Sequence, residues 1–159
     1  MDTRTDERTH YEAMGDVSYN CRYYLMQQRL FAKLAGLFRF VSIMAGSTAF
    51  AGVISSEPKL AGIAALVTSI TTALDLVIDP AKKAYTCNEV HRRYREIDRQ
   101  ASKLSLKALE DKLAEMRGFE APTIEALRKP AYNGSCEERG RPESKLKVTI
   151  WEKFMAKLA

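Results

Sequence analysis

Residues that build catalytic and metal sites are scarce in this chain: its 159 residues hold three cysteines, two histidines and one tryptophan. Cys21, Cys87 and Cys136 are odd in number and lie outside the long apolar runs, on the side read below as cytoplasmic, so free thiols are the expectation. Cys87 and His91 lie four residues apart on one prospective helix face, a spacing two metal ligands can use, and Cys21 can face them. A structural zinc site wants four ligands, however, and only His10 and Cys136 remain as loose candidates. No metal and no cofactor are expected, and Cys87 reads as a packed seam residue beside a solvated His91. Phosphate-cradling glycine loops, nucleophile elbows, zinc-protease helix motifs and paired-carboxylate sites are missing, so no enzymatic activity is expected. Strand-like alternation and internal repeats are missing as well, which leaves an all-α chain.

Charge is missing in two places. Phe40 to Ser56 and Leu60 to Leu74 carry none, and only Glu57, Pro58 and Lys59 separate them. At 1.5 Å per residue the first run covers roughly 25 Å, and adding Leu34 to Arg39 carries it past a hydrocarbon core of ~30 Å. The second run continues to Ile78 if Asp75 is tolerated. The pair reads as a two-transmembrane helical hairpin with spans of about 34–56 and 60–78. Apolar helices of this length also occur buried in soluble bundles or oligomers, so charge placement decides. Val17 to Arg39 holds Arg22, Arg29, Lys33 and Arg39 with no acid. Pro80 to Lys103 is rich in bases, and the turn carries one charge of each sign. Lysine and arginine counts therefore place both termini in the cytoplasm and the turn outside. The net charge of +5 is concentrated beside the apolar runs, where it suits anionic lipid head groups. The first apolar run starts near residue 34 behind a charged segment, unlike a cleavable leader, so the first span is expected to be retained.

Residues 1–16 are polar, mixed in charge and without apolar periodicity, which predicts a flexible tail. Tyr19, Tyr23, Met26, Leu30, Leu34 and Leu37 then form the stripe of a helix that enters the first span. Beyond the second span, Cys87, Val90, Tyr94, Ile97, Ala101 and Leu104 recur at three-four spacing, a short coiled-coil seam. Two arms of matched length, 17–39 and 80–103, are expected to pair as a cytoplasmic antiparallel stalk. Asp79-Pro80 marks a kink or restart, with Asp79 as the cap. Leu106, Leu109, Leu113 and Met116 form one face of a short helix ended by Gly118. A second short helix follows Ala121-Pro122-Thr123, carrying Ile124, Leu127 and Tyr132, and Pro130 is expected to bend or break it. Gly134, Gly140 and Pro142 open a linker, so that 141–159 reads as linker plus a basic amphipathic helix with Val148, Trp151, Met155 and Leu158 on one face.

The helix bearing Arg22-Tyr23-Tyr24 and Gln28-Arg29-Leu30, the tight two-span hairpin, and the basic helix with Tyr94-Arg95-Glu96-Ile97 together resemble the SLATT family, the SMODS and SLOG associating two-transmembrane effector domains. Ala121-Pro122 and Ala131-Tyr132-Asn133 add to the likeness, which covers about residues 17–140 and rests on layout more than on a diagnostic motif. The resemblance implies a bacterial inner-membrane effector of defence systems, switched on by a nucleotide-sensing or nucleotide-synthesising partner. The chain has no such module of its own, and the Trp151 helix lies outside the likeness.

Candidate site residues fall in three groups. Small residues at Ala61, Ala65, Ser69 and Ala73, matched by Gly46, Ala49 and Gly52 on the first span, suit close helix packing, within the hairpin or around an oligomeric pore. Thr68, Thr72, Asp75 and Asp79 follow at steps of four, three and four toward the cytoplasmic end, where Arg39 reaches a similar depth. They form either a salt bridge within the hairpin or a cation-attracting mouth. Arg92, Arg93, Arg95 and Arg99 can contact phosphate but suit a solvated, lipid-attracted juxtamembrane face. The expectation is a homo-oligomeric effector in the lipid bilayer that permeabilises the membrane. The rivals are a non-toxic membrane anchor and a soluble helical nucleic-acid-binding oligomer, the latter disfavoured by the placement of charge around the spans.

Overall fold

The computed structural model describes residues 8–54 and 58–159. The first half of the expected tail, the last two residues of the first span and Glu57 of the turn lie outside the described residues. Every regular element among the described residues is helical: α1 (His10–Ile54), α2 (Pro58–Ile78), α3 (Pro80–Ala101), α4 (Leu106–Met116), α5 (Arg128–Glu138) and α6 (Ile150–Leu158). Two 3₁₀ turns, Glu125–Leu127 and Pro142–Ser144, precede α5 and α6 respectively. The chain divides into two compact units, one built from residues 1–28 and 85–159 and the other from 29–84.

In the first unit α1 starts well inside the segment expected to be a tail. Thr9 and Glu12 form a capping box: the Glu12 amide donates to the Thr9 hydroxyl at 3.3 Å and the Thr9 amide to the Glu12 carboxylate at 2.8 Å. Such a box satisfies two amides that a helix start would leave unpaired. Burial holds the new turns in place, since Ala13 and Val17 are fully enclosed. The core they join contains Cys21 on α1, Val90, Tyr94, Ile97 and Ala101 on α3, and Leu109, Leu113 and Met116 on α4. The seam expected on α3 is thus the buried face of that helix. Its counterpart on α1 is shifted from the expected stripe and runs through Ala13, Val17 and Cys21. Tyr24 stacks on Tyr94 with ring centroids 5.7 Å apart. Tyr23 instead serves the chain after α4: its hydroxyl accepts from the Ile124 amide at 3.0 Å.

The C-terminal half is ordered by local chemistry that corrects two expectations. Pro130 neither bends nor breaks a helix. It sits in the first turn of α5, where its missing amide leaves no hydrogen bond unmade. Gly134 is no linker residue; it is buried within α5, and a side chain there would collide with Arg22 of α1. The turn belongs to Gly140, which has φ +68. Arg22 also pairs with Glu138, so α1 and α5 are clamped by one guanidinium lying over a glycine. Asn133 holds the following strap by both its amide groups, donating to the Leu146 carbonyl at 2.8 Å and accepting from the Leu146 amide at 2.7 Å. α6 has its own capping box, Thr149 with Glu152.

The second unit contains the rest of α1, from Arg29, and all of α2. Between α2 and α3 the chain restarts at Asp79, as the Asp79-Pro80 pair suggested. Asp79 has φ 44 and its carboxylate accepts from the Lys82 amide at 3.2 Å. Aspartate is among the few residues that enter the left-handed region at modest cost.

Candidate functional site

Two described helices are long and apolar enough to cross a membrane. Their exposure separates them from core helices of a soluble fold. Only 6% of the most apolar window in α1 and 11% of that beginning at α2 are buried. Ile43, Phe50, Val53, Ile63, Leu66, Leu76 and Val77 all point outward.

The small residues expected to form one packing face divide into two. On α2 the buried or half-buried positions are Ala61, Ala64, Thr68, Thr71, Asp75 and Ile78, at steps of three, four, three, four and three. Ala65, Ser69 and Ala73 lie on the exposed side. On α1, Gly52 is buried, and a Cβ there would come within 2.9 Å of the Ala61 backbone nitrogen. Ala49 is half-buried. Gly46 is half-buried, but a side chain there would project into open space. The four-residue spacing of the small residues does not mark the seam within this chain, because a helix advances 3.6 residues per turn, and a seam that stays facing its neighbour alternates three and four. The alternating positions around Ala64 and Thr71 carried the signal that would have found it.

The hydroxyl groups are occupied locally. Thr68, Ser69 and Thr71 donate to the carbonyls of Ala64, Ala65 and Val67 at 2.8 to 2.9 Å. A hydroxyl bonded to its own helix can face lipid without leaving a bare donor. Thr72 and Asp79 are exposed while Thr68 and Asp75 are half-buried, so the four residues of the expected stripe do not share one face. Arg39 forms no ion pair with Asp75 or Asp79 among the described residues. Of the two readings the sequence offered, the salt bridge is not formed among the described residues, and Asp79 caps the start of α3. Lys83 rests 5.8 Å from the centroid of the Phe31 ring, a cation on an aromatic face.

In the other unit the arginines of α3 border a surface depression of about 420 Å³ together with Glu89 and Glu96. Glu89 pairs with Arg92 at 2.9 Å and Arg93 at 3.5 Å, and Glu96 with Arg99 at 3.4 Å. Hydrogen bonding from Arg92 holds the Glu89 carboxyl below its usual range. Arg93 also lies over the Phe119 ring at 4.2 Å. Much of the positive charge is thus balanced by acids on the same helix, and Arg95 is the member of the group with no such partner among the described residues.

The three cysteines are free and buried. Burial pushes the Cys21 thiol up to about 12 and the Cys87 thiol up to about 11. Neutral thiols make poor nucleophiles and poor metal ligands. The Cys87 thiol donates to the Gln27 side-chain carbonyl at 3.9 Å, and His91 Nδ1 lies 2.8 Å from the Cys21 carbonyl oxygen. No group of three potential metal ligands gathers among the described residues. Sequence reasoning missed Gln27, which is fully buried, its Nε2 without a hydrogen-bond partner among the described residues; nothing in the apolar periodicity marks a polar residue for that position. No family model, curated protein or solved structure matches the chain.

Proposed function

We propose that the chain is a bacterial inner-membrane effector whose two apolar helices form a transmembrane hairpin, which oligomerises and permeabilises the membrane when triggered by a nucleotide-sensing or nucleotide-synthesising partner. The observation that carries the membrane reading is the outward crowd of large apolar side chains on α1 and α2. Covering one such side chain is worth about 1.5–3 kcal/mol. Leaving seven in water would forgo a sum comparable with the whole stability of a domain, roughly 5–15 kcal/mol. Lipid offers the cover without further protein contacts. The basic residues flanking the spans support a cytoplasmic setting for both termini, and the shared core of the α1 start and α3 supports the stalk reading.

Oligomerisation is assigned to the side of α2 that presents Gly62, Ala65, Ser69 and Ala73, because small residues let helices of neighbouring copies approach closely. Gly62 has open space around its Cβ position. The defence setting rests on the SLATT likeness alone. The test is ion or dye flux from proteoliposomes carrying the purified full chain, with and without the products of its neighbouring genes. Triggered leakage that is lost in Ala65→Leu supports the effector reading. An inserted oligomer that leaks under no trigger would leave the anchor reading, which the self-bonded hydroxyls of Thr68, Ser69 and Thr71 favour because they do not need a water-filled lumen.

A further inference from the structure

α6 has two unlike sides. Glu152, Met155 and Ala156 are half-buried, and Glu152 reaches Lys129 of α5 at 3.1 Å, which fixes the helix on the unit that carries it. Ile150, Trp151, Phe154 and Leu158 face away, with Ile150 at 88% exposure and Trp151 at 60%. The Trp151 and Phe154 rings lie 5.8 Å apart as one tilted pair. Lys153 and Lys157 are exposed on the same helix and Lys147 just before it. The helix's one acid, Glu152, is turned inward to Lys129, so the exposed charges on α6 itself are its two lysines.

We propose that this outward face of α6 docks on an anionic lipid surface, a second membrane contact in addition to the spanning helices. The proposal rests on the membrane reading above. Three features select lipid over a protein partner. Tryptophan favours the head-group level, where its apolar ring and polar N–H are both satisfied. Lysines bordering an apolar stripe complement anionic head groups. The patch is also small: a nine-residue helix spans roughly 13 Å, and four partly exposed side chains offer on the order of 400 Å². A stable protein interface needs about 800 Å² per partner. A head-group layer requires no matching surface.

Trp151 is the chain's one tryptophan, so its fluorescence reports on this face without labelling. The full chain is placed in nanodiscs of phosphatidylcholine alone or mixed in equal parts with phosphatidylglycerol. Expected in the anionic discs are emission shifted to shorter wavelength, quenching by lipids brominated near the head group, and protection from aqueous acrylamide. Lys153→Gln with Lys157→Gln should lose all three signals while circular dichroism stays unchanged. Acrylamide quenching with no bromolipid quenching in either disc overturns the proposal. Protection from both quenchers that disappears on dilution also overturns it, because the cover is then another copy. Alkaline carbonate extraction of the same chain separates the failures. A chain that stays in the membrane with an exposed Trp151 refutes this docking alone, whereas one that washes out refutes the spanning reading beneath it.

Discussion

Asp79 combines two demands that few residues meet: its backbone sits at φ 44 and its carboxylate caps the start of α3. Asp79→Ala removes the cap and strains the backbone, and should cost about 1–2 kcal/mol. Asp79→Asn keeps an acceptor and tolerates the same backbone, so it should cost much less; chemical denaturation of the two variants in one detergent checks the order. Cys87 gives a pH prediction. Its folded thiol is raised from 9.0 to about 11, so the folded state holds this proton more tightly than the unfolded one. The stability this supplies is complete below pH 9 and is lost as pH rises through about 11. Cys87→Ala should flatten that part of the stability profile, measured as melting temperature across the alkaline range.

At the scale of elements, the glycines distinguish internal packing from open surface. A methyl group at Gly52 meets Ala61 backbone, which cannot swing aside, and Gly52→Ala should destabilise the apolar unit by about 1–3 kcal/mol. Gly62→Ala meets nothing within 4 Å and should leave folding unchanged. Thermal unfolding of the two variants decides between them, and equal losses would contradict the assigned faces. The sequence made some elements plain and hid others for physical reasons. The α3 seam was legible because its apolar positions alternate with charge, and the restart at Asp79-Pro80 because proline cannot continue the preceding helix. The inward face of α2 was obscured because nearly every residue there is apolar or small, so contrast between faces is weak. The start of α1 was hidden for the opposite reason: Ala13 and Gly15 bury little apolar surface, and only the Thr9-Glu12 capping pair announces the helix. Arg22 over Gly134 is a long-range fit that no local pattern encodes.

At the scale of the whole molecule, one part of the proposed function supports the rest: the proposal that α1 and α2 cross the bilayer together, with the turn outside and α3 to α6 in the cytoplasm. The most direct test is accessibility of single introduced cysteines to a membrane-impermeant maleimide in intact cells, with the three native thiols replaced by serine or alanine where folding permits. Lys59 lies at the start of α2 and Arg95 on the exposed side of α3. Lys59→Cys should label in intact cells, and Arg95→Cys only after the inner membrane is opened. Labelling of Arg95→Cys from outside would reverse the orientation, and equal protection of both positions until lysis, with the chain recovered in the soluble fraction, would contradict the membrane-spanning account altogether.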